Sequence, residues 1–254
     1  MKNFLTRSVL LMARKFLCVL LFVFVLSSQS QAIPNPPAKG QWAFPLEDTL
    51  RLYDRADGTS DYEEIDMPGK WISVPSAVRD RDNYLWYKVR IGGQNGWLPQ
   101  NGIRLKMGGK SKSAANIYRH YVKARQKVMD NPRGWTRSTD DGITTYSTDG
   151  GEFRIVRGNR GVQDVFFTTS DYRICREFLG VDLIDWSQPE VRSKLGTPTM
   201  RETPYDDPEV SILSFEVEGR NMTLSVLERR EEGGTDGIVY RVELYRGRTA
   251  EPEF

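Results

Sequence analysis

The run Leu85-Trp86-Tyr87-Lys88-Val89-Arg90-Ile91, followed at once by Gly92-Gly93-Gln94-Asn95-Gly96-Trp97-Leu98, constrains the fold more than any other part of the chain. Leu85, Tyr87, Val89 and Ile91 alternate with Trp86, Lys88 and Arg90. A period of two puts the first set on one face of a strand and the second on the other. The glycines then return the chain as a hairpin. Other short β-type segments precede it, Leu50–Tyr53 and Lys70–Val74, parted by turn signals such as Asp57-Gly58. Residues 41–106 therefore predict a small all-β barrel.

The order Trp86-Tyr87-Lys88-Val89-Arg90, a glycine turn, Gly96-Trp97-Leu98 and a closing Asn101 to Leu105 resembles the C-terminal half of the bacterial SH3 (SH3b) domain family. That resemblance implies an SH3-like barrel recognising peptidoglycan or a protein peptide. Aromatic side chains suit such grooves because they bring rigid area with a polar edge. Tyr53, Tyr84 and Trp86 are the candidate groove residues. Leu52 to Gly58 departs from the Asn-Val-Arg-x-Gly-Pro-like segment that the family carries there.

Beyond residue 106 the periodicity changes. Met107-Gly108-Gly109-Lys110-Ser111-Lys112-Ser113 reads as a linker. Ile117, Tyr118, Tyr121, Val122, Val128 and Met129 then share one arc at helical spacing, with Arg119, Lys123 and Gln126 opposite and Asn131-Pro132 as the stop. Two related passes of three strands follow, Ile143 to Thr168 and Val210 to Tyr245, in the pattern of an internal duplication, and a short helix, Asp171 to Leu179, lies between them. Before the second pass Ser187 and Glu190 form an S-x-x-E capping box, Trp186 and Val191 stand at the staple positions, and Gly196 and Pro198 end the helix. Pro189 to Pro198 with the strands after it resembles the helix-to-sheet entry of the outer-membrane assembly lipoprotein family SmpA/OmlA and of the β-lactamase inhibitory protein. The expected fold class is α+β. A small SH3-like barrel (41–106) and a linker (107–113) precede an α+β domain of helices packed on antiparallel meanders (114–247), with a tail (248–254).

The opening residues have the layout of a secretory signal: basic Lys2, Arg7, Arg14 and Lys15, an apolar run Phe16–Leu26, and a polar end at Ser30-Gln31-Ala32. The run is too short to cross a bilayer, so cleavage after Ala32 is expected, leaving no membrane span. A Pro-rich leader (33–40) follows. The formal charge of +2 belongs to the whole chain, and loss of the four basic residues in 1–32 makes it −2. That balance gives no electrostatic case for nucleic acid. Of the two cysteines only Cys175 remains, so no intramolecular disulfide is expected.

Chemistry-bearing residues are few. His120 falls at the polar edge of its helix, and Cys175 shares an apolar arc with Ile174, Phe178 and Leu179, the setting of an inert buried thiol. The only His precedes the only mature Cys, against the usual order of a cell-wall cysteine peptidase. One His and one Cys exclude ordinary zinc sites. Asp54, Asp57, Asp61, Glu63 and Glu64 cluster around Gly58, but Tyr53 stands where an EF-hand loop needs its first Asp. No phosphate loop or nucleophile elbow is present. The expectation is an exported, periplasmic or cell-wall-associated protein that is not an enzyme, with no metal and no cofactor, binding peptidoglycan or an envelope protein. The alternative is an inhibitor or envelope-assembly factor acting through residues 114–247.

Overall fold

Residues 41–66, 69–82, 84–159, 161–204, 206–230 and 237–247 are described by a computed structural model. The expected signal, leader and tail lie outside them. The first eight strands are β1 (Trp42–Pro45), β2 (Thr49–Tyr53), β3 (Tyr62–Asp66), β4 (Ile72–Ser73), β5 (Ser76–Arg79), β6 (Leu85–Ile91), β7 (Gln94–Pro99) and β8 (Ile103–Lys106). Helix α1 (Lys112–Asp130) leads to β9 (Thr136–Asp140), β10 (Ile143–Thr148), β11 (Gly151–Gly158) and β12 (Gly161–Thr169). Helices α2 (Tyr172–Leu179) and α3 (Gln188–Leu195) precede β13 (Met200–Thr203), β14 (Val210–Glu216), β15 (Met222–Arg230) and β16 (Gly237–Arg246). None of the described helices is long and apolar enough to cross a membrane.

The structure corrects the expected fold class. The chain is mostly β, and no small SH3-like barrel is followed by a separate helix-packed domain. Among the described residues an eleven-stranded antiparallel sheet runs β4-β1-β8-β13-β14-β15-β16-β12-β11-β10-β9, and a second sheet of five strands runs β3-β2-β7-β6-β5. The physical reason lies in β8. A strand closing a barrel must spend both hydrogen-bonding edges within it. Here one edge of β8 pairs with β1, Ala43 opposite Leu105, and the other pairs with β13, Leu105 opposite Arg201. First-half strands thus continue into the sheet built by the second half. Residues 107–111 follow the same path: the Met107 and Gly108 amides donate to Thr199 O, and the Ser111 amide donates to Glu216 O at 2.8 Å. A Cβ on Gly108 would stand 2.9 Å from Pro198 O, so the close approach requires glycine.

Both cores lie on one face of the long sheet. Over β1, β4 and β8 the five-stranded sheet packs with its inner side chains, Leu50, Leu52, Tyr87, Val89 and Leu98, against Ala43, Ile72 and Leu105. Gly96 makes room for this layer, since a Cβ there would overlap the Leu52 side chain. Over β10–β16 the three helices cover Phe153, Phe167, Leu213, Phe215, Val226 and Leu244. The opposite face carries hydroxyls instead: the Ser214 and Ser225 Oγ atoms lie 2.9 Å apart, and Ser225 Oγ lies 3.1 Å from Tyr245 Oη.

Local signals place the helices. Ser111 Oγ accepts from the Ala114 amide at the start of α1, and Asp171 Oδ1 accepts from the Arg173 and Ile174 amides at the start of α2. At α3 the expected capping box is present: the Ser187 amide donates to Glu190 Oε2 at 2.8 Å. Backbone and hydroxyl donation from Ser187 hold the Glu190 carboxyl below its ordinary pKa. In α1 the exposed residues include Arg119, Lys123 and Gln126, while Ile117, Tyr121, Ala124 and Val128 are buried.

Candidate functional site

The five-stranded sheet has two faces, and only the inner one belongs to a core. On the outer face, cross-strand pairing sets Tyr62 beside Tyr53, Tyr53 beside Trp97, and Trp97 beside Lys88. Residues that pair across antiparallel strands share a face, so four strands contribute to one row. The contacts are direct: Tyr53 and Tyr62 ring centroids lie 5.3 Å apart, and Lys88 Nζ lies 5.8 Å from the Trp97 centroid. The next row brings Trp86 opposite Val78. Tyr62 and Val78 are 48% and 40% exposed, so large apolar side chains reach solvent here. Arg51 caps one end, its guanidinium 4.9 Å from the Tyr62 ring and 3.4 Å from Glu64.

Of the three aromatics singled out in the sequence, two meet on this face. Tyr53 packs edge-on against Trp86 at 5.2 Å between centroids, and is half-buried. Trp86 faces away from the Tyr87 and Val89 core, yet it is only 3% exposed, because Tyr53 covers it. Its indole Nε1–H donates to Asp80 Oδ2 at 2.8 Å, while Asp80 Oδ1 accepts from the Asp82 and Tyr84 amides. Trp86 therefore holds the β5–β6 turn and supports the face from beneath. Trp86→Phe keeps the ring and deletes the donor, so denaturant unfolding should show a loss of about 1 kcal/mol. An unchanged midpoint would remove the indole from this turn.

Tyr84 stands elsewhere. Arg230 of β15 lies 5.6 Å from its ring centroid, and burial pushes its phenol pKa upward, with Arg230 opposing. Sequence reasoning missed Tyr62 and Val78. Tyr62 sat in the acidic stretch Asp61 to Asp66, where its alternation with Glu63 and Ile65 was the available signal.

The remaining chemistry-bearing residues do not converge on this face. Cys175 is fully buried; its Sγ donates to Val181 O and accepts from the Leu183 amide, both at 3.4 Å. Burial raises its pKa to about 11. An acid whose folded pKa is raised contributes stability that is whole below the unfolded thiol's range and is lost as pH climbs toward about 11. A thiol-specific reagent at neutral pH should modify Cys175 no faster than the chain unfolds, and rapid stoichiometric labelling of native protein would contradict this. His120 is exposed, its Nε2 at 3.1 Å from Glu177 O. Among the described residues no three His, Cys, Asp or Glu side chains gather as a metal-binding group.

Comparison with protein-family models, curated proteins and solved structures finds no match. The aromatic face is therefore read on its own chemistry. It offers flat rings for stacking, flanked by the exposed cations Arg51, Lys88 and Arg90. Such a surface suits a polymer that presents apolar ring faces and carboxylates along its length.

Proposed function

We propose that this chain is an exported, non-enzymatic binding protein of the cell envelope whose recognition surface is the outer face of the five-stranded sheet. The observation that carries this reading is the continuous row Tyr62, Tyr53, Trp97 and Lys88, with Tyr62 and Val78 open to solvent beside it. Peptidoglycan is the ligand its chemistry favours: sugar rings for the aromatic row, stem carboxylates for the cations. A protein peptide is the competing ligand. Export rests on the signal-like residues 1–32 and sets the mature N-terminus at Ile33.

Sedimentation with purified cell walls tests the proposal. Tyr62→Ala and Trp97→Ala should each weaken binding by about 2 kcal/mol, as aromatic anchors do. Tyr62 is exposed, so its loss should change stability by no more than about 0.5 kcal/mol. Val89→Ala, on the inner face, should lower stability while its folded fraction binds normally. Wall binding equal to the parent in both aromatic variants would reject this face as the site. Binding by the parent to an unrelated peptide but not to walls would favour the protein ligand.

A further inference from the structure

Three separate stretches of chain meet at one hollow of about 260 Å³: Lys110 just ahead of α1, the β14–β15 turn with Glu216 and Gly219 to Met222 around it, and Gly247 at the end of β16. Hydrogen bonds pin the three to one another. The Ser111 amide donates to Glu216 O at 2.8 Å and the Glu218 amide to Ser111 O at 3.3 Å, so the approach to α1 is tied to the turn. The turn itself is closed by Arg220 N–H donating to Val217 O at 3.2 Å and Val217 N–H to Met222 O at 2.9 Å. Gly247 N–H donates to Asn221 O at 3.1 Å, and Thr223 Oγ1 donates to Gly247 O at 2.7 Å. The walls are therefore set before any ligand arrives.

The side chains that line this hollow are donors without acceptors. Lys110, Arg220 and Asn221 are exposed, and among the described residues none of the three makes a side-chain hydrogen bond or ion pair. Glu216 is the one acidic residue of the lining; it has a partner of its own and pairs with neither cation. At Gly219 and Gly247 the wall is bare main chain, and a Cβ built on either would meet nothing within 4 Å, so the space in front of them is open. Met222, 6% exposed, supplies the apolar part of the lining.

That donor set selects among anions. A carboxylate presents two oxygens in one plane, and a single arginine fork satisfies them. A phosphoryl group carries close to two charges at neutral pH and three acceptor oxygens, which matches a point charge from Lys110, a forked donor from Arg220 and an amide from Asn221. The volume exceeds what a phosphoryl group fills and falls short of the roughly 300–1,000 Å³ of drug-sized pockets, leaving room for a small organic group beside Met222. We infer that this hollow binds the phosphoryl group of a small phosphate monoester, engaged by Lys110, Arg220 and Asn221.

The site shares no residue with the aromatic row, so it stands or falls separately from wall binding. Calorimetric titration of the full chain with glycerol phosphate, with glycerol and with acetate is the test. Glycerol phosphate should bind with a Kd of about 1 mM or tighter at low salt, at least about tenfold more tightly than acetate, and glycerol should not bind. Raising the ionic strength should weaken the binding, as for any exposed charge pair. Lys110→Gln and Arg220→Gln should each lose about fivefold or more in affinity, whereas Tyr62→Ala should lose none. Both substituted side chains are exposed, so their unfolding curves should match the parent's. Vesicles containing phosphatidic acid separate the sources of the ligand: co-sedimentation that glycerol phosphate competes away assigns the phosphoryl group to a lipid, and no co-sedimentation beside glycerol phosphate binding assigns it to a soluble ester. Equal binding of glycerol phosphate and acetate, no binding of glycerol phosphate at millimolar concentration, or variants that bind as the parent does would overturn the proposal.

Discussion

Asp164→Ala is expected to destabilise the fold by about 3–5 kcal/mol, because it strands a buried guanidinium. Asp164 of β12 and Arg125 of α1 are 4% and 5% exposed, with Arg125 Nη1 at 2.5 Å from Asp164 Oδ1. Tyr118 Oη donates to the other carboxylate oxygen at 2.8 Å, and Arg246 Nε donates to the Asp164 carbonyl at 3.2 Å. Deleting the carboxylate removes the charge partner of Arg125 and the acceptor of Tyr118 together, from the surface on which α1 docks. Replacing both ions, Arg125→Met with Asp164→Leu, should recover much of the loss, since no buried charge then remains. Guanidinium denaturation of the three proteins measures it. A single variant within about 1 kcal/mol of the parent would show that α1 does not depend on the pair. The same network gives a pH signature. Burial first, then the Asp164 charge and hydrogen bond, raise the Tyr118 pKa to about 12. Its folded pKa lies above the unfolded value near 10, so this contribution is whole below about pH 10 and is lost as pH rises toward about 12.

Phe178→Ala should cost about 3–5 kcal/mol, through lost burial and a cavity its neighbours cannot close. Phe178 is fully buried on α2, stacked on Phe167 at 5.2 Å between centroids, with Trp135 at 5.3 Å, Phe153 at 5.8 Å and Tyr121 at 6.2 Å. Those rings come from β12, β11, α1 and the segment before β9, so one side chain joins four parts of the chain. Phe178→Leu, closer in volume, should cost less than about 1.5 kcal/mol. Urea unfolding curves distinguish the two. Equal losses would mean that the site collapses around alanine and that ring packing carries little of the stability.

The sequence signals that proved legible were short-range. Ser187 with Glu190, Asp171 before α2 and the left-handed Gly180 after it are local hydrogen-bond and backbone requirements. Two meanders were visible as alternation, and Asp141-Gly142, both at positive φ, was an available turn signal for the β9–β10 hairpin that went unused. Arg125 was hidden because a charged residue on a helix reads as solvent-facing until its partner is known, and Asp164 lies 39 positions away. Tyr62 and Val78 were hidden because exposure on a sheet face depends on what covers it. Trp86 shows the converse, since alternation gives it the outer face while Tyr53, packed edge-on from another strand, and Asp80 help to close it off.

Periodicity, caps and turns marked by themselves the three helices, the strands of the two meanders, the β6–β7 hairpin and the apolar side of β6, but not β1, β3, β5, β9 or β13. Which strands pair was decided only in three dimensions. The unsatisfied edge of β8 could close a barrel or extend a sheet, and both satisfy the same alternation in Ile103 to Lys106. Pairing with β13, nearly a hundred residues on, selects the sheet. That choice aligns two cores on one face in a way that no local pattern encodes, because register between distant strands is a property of their joint packing.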